Sequence, residues 1–229
     1  MKKKKINEKD IVKLRRKTKF GELLSGIIHN LNTPLMGISG RLELIKFKNP
    51  DMKGIDQMSE QLDKINNLLS VTANILEADR SYDLKNVKLS EVVNNMNSLL
   101  KANMKYKHKI DVKLELDDDL AVNIMPGYLY NSLYEILDNC IDAVDDDGSI
   151  VIKVYKDENN TAVLEVLNDS ENVPTELIEK VGQPLLSDKE ENLGMGLYLI
   201  RYYVKRLSGT FEFGNYEDGV FYKIKIPLK

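Results

Sequence analysis

From Leu24 onward, apolar residues recur at Leu24, Ile28, Leu31, Leu35, Ile38, Leu42 and Ile45. The steps alternate between four and three, which is the stripe of a helix that packs along a seam in a bundle. Lys48-Asn49-Pro50-Asp51 interrupts the stripe with turn-forming residues, and the alternation resumes at Ile55, Met58, Leu62, Ile65, Leu69, Thr72 and Leu76. Two such helices joined by a short turn predict an antiparallel hairpin. One hairpin cannot cover both of its seams, so the expected state is a homodimer with a four-helix bundle. The alternative is a monomer whose hairpin folds against its own C-terminal half.

A polar linker over residues 78–85 ends the seven-residue pattern, and the signals become mixed. Ser90 is read as the N-cap of a helix over residues 90–102. Alternating Val112, Leu114 and Leu116 predict a strand over 110–116. Pro126 opens a helix through about residue 144, closed by Asp145-Asp146-Asp147-Gly148. Strands over 149–155 and 161–167 form a hairpin, a long irregular stretch follows, and a helix covers 195–207. Strands over 210–213 and 220–226 form a second hairpin. Strands with helices on one face predict an α/β sandwich. The chain therefore reads as α+β, with the helical hairpin at 1–80 and the sandwich at 81–229.

Composition narrows the function classes. Hydrophobic residues make up 42% and charged residues 30% of the 229, as in ordinary globular proteins. The formal net charge of -3 lacks the basic excess of a nucleic-acid binder, and the basic run Lys2 to Lys5 is read as a solvated tail. No apolar run approaches a membrane span, so the expectation is a soluble, cytoplasmic chain without membrane contact. The single cysteine, Cys140, excludes an internal disulfide and lies in an apolar helical run, as a small core residue does. Two histidines and one cysteine offer no Cys/His zinc spacing.

Three clusters carry candidate chemistry. His29 lies beside the seam, with Thr33 one turn along on the same face and Pro34 disturbing the helix just below. A lone helical histidine is commonly just solvated, but a neutral imidazole is also a good phosphoryl acceptor. In the helix from Pro126, Glu135, Asn139 and Asp142 share one face while Leu133, Ile136, Leu137, Cys140 and Ile141 point to the sheet. That face is either an exposed polar stripe or a site where Asn139 offers a carbonyl oxygen to Mg²⁺ and Glu135 orients water or a proton. Gly194-Met195-Gly196-Leu197 opens the last helix, as either a tight turn or a phosphate cradle at a helix N-terminus, with Lys189 in reach.

The run from Gly21 to Leu35, centred on His29-Asn30-Leu31-Asn32-Thr33-Pro34, resembles the phosphoacceptor box of sensor histidine kinases. Glu135 to Ala143 is similar to the asparagine box of the ATPase domain they share with gyrase-type topoisomerases and certain chaperones, and Gly194 to Leu197 to its second glycine box. The resemblance covers residues 20–229. It implies that His29 is autophosphorylated from ATP with Mg²⁺ at Asn139, and that the phosphoryl group passes to an aspartate of a response-regulator receiver domain. It implies that Thr33 positions a water for dephosphorylating the regulator. The signal then comes through an upstream sensor protein or a sensor segment missing from this chain.

Two departures stand out. Asn30 occupies the place of the acidic base beside the histidine, and an amide cannot take a proton. Asn168-Asp169-Ser170-Glu171-Asn172 replaces Asp-x-Gly-x-Gly, so that Asn168 stands where an aspartate accepts from the adenine amino group. Its carbonyl could accept that bond without charge, which implies weaker nucleotide binding. These changes keep a second reading open: a histidine phosphotransferase or pseudokinase with weak or no ATP binding, relaying phosphate or dephosphorylating a regulator.

Overall fold

The computed structural model describes residues 8–50, 52–178 and 196–228. Contacts divide the chain into two compact units, with the boundary between Glu77 and Ala78.

In the first unit, helices α1 (Glu8–Lys48) and α2 (Ile55–Arg80) form the hairpin. At 41 residues α1 begins well before Leu24, and it continues through Pro34, which removes one ladder donor without ending the helix. Gly54 takes a positive φ of 88° at the turn, a conformation open to a residue without Cβ. Lys46 and Asp56 pair at 2.7 Å across the same turn. Both are mostly exposed, so the pair adds little stability. The predicted stripe separates into two ranks, each spaced by seven. Ile28, Ile55 and Leu62 are buried, and Leu35, Leu42 and Leu69 half-buried. Leu31, Ile38, Ile45, Met58 and Ile65 are exposed.

The second unit opens with strand β1 (Lys85–Lys88), helix α3 (Leu89–Leu100) and the short helix α4 (Met104–His108). The expected Ser90 cap is not made. Lys88 is the N-cap residue, without a side-chain cap bond, and Ser90 lies buried inside the helix. The physical reason is a tertiary bond: the first amide, Leu89 N–H, donates to the Leu120 carbonyl at 3.1 Å, so one helix-end donor is satisfied by the chain itself. Strand β2 (Ile110–Leu116), strand β3 (Ala121–Ile124) and helix α5 (Pro126–Ala143) follow, then strands β4 (Gly148–Lys156) and β5 (Thr161–Asn168). After the single turn α6 (Thr175–Ile178), helix α7 (Gly196–Arg206) leads to β6 (Thr210–Tyr216) and β7 (Gly219–Pro227).

Strands β1 and β3, not expected from the sequence, pair antiparallel. At four residues each they are too short to show an alternation. The main sheet has five strands in the order β2-β4-β5-β7-β6. Among the described strands only β2 and β4 pair in parallel, and the segment between them carries α5 as the crossover such a pair requires. Register aligns Ile150 with Asn168 and Asn168 with Val220, so Asn168 continues the face formed by Ala162, Leu164 and Val166. Those residues are buried with Ile152, Val154, Tyr222 and Ile224, and with Leu133, Ile136, Leu137 and Cys140 of α5. Lys105 Nζ closes the end of α5 by donating to the carbonyls of Ile141 and Val144. A cation there complements the negative end of the helix dipole.

Candidate nucleotide site and phosphoacceptor helix

Glu135 and Asn139 stand one turn apart on α5, both half-buried, because a helical period of 3.6 sets them on one edge of the apolar stripe. Gly196, the first residue of α7, lies directly against them. A Cβ placed on Gly196 would stand 3.1 Å from Glu135 Oε2 and 3.4 Å from Asn139 Nδ2. Glycine there lets the α7 N-terminus and its amides sit close against this edge, where a Cβ would press on the Glu135 carboxylate. Asn139 Nδ2 is buried and has no hydrogen-bond partner among the described residues. A buried unpaired amide costs stability and marks a position kept for something other than packing. Leu197 follows, half-buried, and Ile200 and Val204 anchor α7 in the core. Asp142 is exposed near the end of α5. Lys189 and Gly194 lie outside the described residues.

At the C-terminal end of β5, Asn168 is 1% exposed. Its Oδ1 accepts from the Ser170 backbone N–H at 3.2 Å and the Ser170 hydroxyl at 2.7 Å. In this structure both of those bonds to the oxygen come from Ser170, which stands where the resemblance implies glycine. Asn168 Nδ2 is buried without a partner among the described residues. Cys140, which follows Asn139 on α5, lies beside the Asn168 amide. Burial pushes its thiol up to about 12 against a smaller opposing effect of that amide, so the cysteine is a neutral core group.

Three contributors escape the sequence reading. Asn215 on β6 holds the loop after β5 with two bonds to Val173, its Oδ1 accepting from the backbone N–H at 2.9 Å and its Nδ2 donating to the carbonyl at 2.8 Å. The Tyr216 hydroxyl donates to the Asn168 backbone carbonyl at 3.4 Å. Tyr203 on α7 stacks on Tyr128 with ring centroids 5.9 Å apart. Burial, then the charges of Glu135 and Asp79, raise its hydroxyl pKa, which places the ring near the polar edge of α5.

On the hairpin, His29, Asn30 and Thr33 are exposed on α1. Among the described residues no group of three or more His, Cys, Asp or Glu side chains could hold a metal. No helix among the described residues is long and apolar enough to cross a membrane.

Residues 126–229 match the family described as histidine kinase-, DNA gyrase B-, and HSP90-like ATPase. Sporulation kinase C of Bacillus subtilis is 26% identical over 98% of this chain and 53% of its own length. Sporulation kinase A of the same organism is 24% identical over 91% of this chain and 35% of its own. The chain thus spans about a third to a half of these relatives. The catalytic domain of the histidine kinase ThkA superposes with a TM-score of 0.58 at 26% identity, covering 63% of this chain and 95% of that domain. The complex of ThkA with the response regulator TrrA aligns with 94% of this chain at 22% identity and a TM-score of 0.56, a likeness of fold. Residues 126–229 thus form an ATPase domain of this family, and the chain is similar to the catalytic core of sensor histidine kinases.

Proposed function

We propose that the chain phosphorylates His29 from Mg-ATP and passes the phosphoryl group to an aspartate of a response-regulator receiver domain. The observation that carries the reading is the seat of Gly196 against Glu135 and the unpaired Asn139 amide. The triphosphate lies over the α7 N-terminus at Gly196 and Leu197, where backbone amides and the helix dipole favour an anion. Asn139 supplies a metal ligand through its carbonyl oxygen, Glu135 orients a water or proton beside it, and Asp142 lines the outer turn. Lys189 and Gly194 complete the phosphate contacts, and the purine end reaches Asn168. When bound, Mg²⁺ neutralises charge on the phosphates, so the chain's own task is positioning.

The neutral Nε2 of His29 attacks the γ-phosphorus, the bond to the bridging oxygen breaks, and ADP leaves. Asn30 cannot take the imidazole proton. Because His29 is exposed, that proton passes from Nδ1 to water. Thr33, one turn away, holds the water that hydrolyses the regulator's aspartyl phosphate. An upstream sensor protein supplies the signal, and the use of ATP places the chain in the cytoplasm. Incubation with labelled ATP is expected to give an acid-labile, alkali-stable phosphate that His29→Gln eliminates. Label retained in that variant would remove His29 as the acceptor.

The exposed rank Leu31, Ile38, Ile45, Met58 and Ile65 supports a homodimer, because the hairpin covers only the other rank. Light scattering after size exclusion is expected to give twice the chain mass. A purely monomeric chain at micromolar concentration would end the four-helix-bundle reading. A histidine phosphotransferase or pseudokinase remains the second reading, favoured by the occupied Asn168 carbonyl.

A further inference from the structure

The purine end of the site presents a donor where an adenine nucleotide needs an acceptor. Adenine carries an amino group at position 6, which donates; guanine and hypoxanthine carry an oxygen there, which accepts. At Asn168 the amide orientation is settled chemically, because the Ser170 backbone N–H at 3.2 Å can donate only to an oxygen. The Ser170 hydroxyl at 2.7 Å takes the remaining capacity of that oxygen. What Asn168 has left is the Nδ2 amine, buried and unpartnered among the described residues. The neutral Cys140 thiol beside it is a poor acceptor.

The neighbouring carboxylate does not make up the loss. Asp169 Oδ2 accepts from the Ser149 backbone N–H at 2.8 Å and from its hydroxyl at 3.0 Å. The backbone that carries Asn168 is held as well: Asn215 grips Val173 by both backbone groups, and the Tyr216 hydroxyl donates to the Asn168 backbone carbonyl. A donor held in place and lacking a partner is satisfied by a ligand oxygen, and an unpaired buried amide is costly enough to influence which ligand binds.

We propose that this nucleotide pocket has lost the bias for a 6-amino purine and takes 6-oxo purine triphosphates, such as ITP and GTP, at least as well as ATP. The inference rests on the nucleotide-site reading above, with the purine end at Asn168. ITP is the cleanest probe, since it replaces the 6-amino group by oxygen without adding the 2-amino group of guanine.

Calorimetry on the whole chain with Mg-ATP and Mg-ITP tests it. The wild type is expected to bind ITP at least as tightly as ATP. Asn168→Asp is expected to move the ratio toward ATP by roughly 30-fold, the size of one charge-assisted bond gained and one neutral bond lost. Should the buried carboxylate of that variant prevent folding, Ser170→Ala serves instead. It frees one acceptor site on Asn168 Oδ1 and is expected to shift the ratio toward ATP by roughly fivefold, the worth of one neutral hydrogen bond. A wild type that binds ATP more tightly than ITP, or a ratio that neither variant moves, overturns the proposal. Binding of neither nucleotide, or binding untouched by Asn139→Ala, overturns the nucleotide-site reading and the proposal with it.

Discussion

Asn139→Ala is expected to weaken Mg-nucleotide binding by at least roughly a hundredfold, since deleting a metal ligand costs no less than deleting a partner behind one. Stability should move the other way or not at all. The Asn139 amide nitrogen is buried and makes no hydrogen bond among the described residues, so alanine removes an unsatisfied polar group. Helix propensity favours the change as well. Calorimetric titration and a thermal melt on the same sample decide the matter. Lost binding with an unchanged or higher Tm would identify Asn139 as a residue kept for its ligand at the expense of the fold. Unchanged binding would sink the site assignment, whereas no binding by the wild type would put the phosphotransferase reading in front. A large fall in Tm would show that the amide has a structural partner after all.

Gly219→Ala should give the largest loss of stability of any single methyl group in the ATPase domain. Gly219 opens β7 at a φ of 150°, and a Cβ there would fall 2.0 Å from the Asn168 carbonyl oxygen and 2.9 Å from Asp169 Cα. Both neighbours are backbone, so no side-chain rotation relieves the contact. Backbone strain of this kind and overpacking each cost about 1–3 kcal/mol, and together about 3 kcal/mol or more is expected. Chemical denaturation of the whole chain, followed through tyrosine fluorescence, measures it. Gly37→Ala is the control, because nothing lies within 4 Å of a Cβ at that position of α1. A Gly219 variant as stable as that control would mean that β7 can move away from Asn168, against the register that pairs Asn168 with Val220.

The limits of the sequence reading follow from the range of the interactions concerned. Pro126 and an apolar stripe are enough to place helix α5, because proline geometry and a 3.6-residue period act within a few residues. Ser90 misleads as a cap for the converse reason. The helix begins one residue earlier, where its first amide, Leu89 N–H, is met by Leu120, which is distant in sequence. Strands β1 and β3 escape a reading of the sequence because each stabilises the other, and neither is long enough to carry a pattern alone. Within the site, the shared edge of Glu135 and Asn139 is legible from spacing, whereas the roles of Asn215 and Ser170 are not. Their residue types are common in loops, and only the contacts they make distinguish them.

By itself the sequence determined what local periodicity and covalent chemistry determine. These are two seamed helices with a turn between them, the polar edge of α5, the glycine that begins α7, and an exposed imidazole on a helix flank. Tertiary structure alone decided the order β2-β4-β5-β7-β6, which rank of the hairpin stripe is covered, and the meeting of Gly196 with Glu135 and Asn139. It also decided that the Asn168 carbonyl belongs to Ser170 while its amine is left over. The division has one physical cause. A period repeats within a few residues and is written in the chain, whereas the partner of a buried polar atom is chosen by packing between segments far apart in sequence.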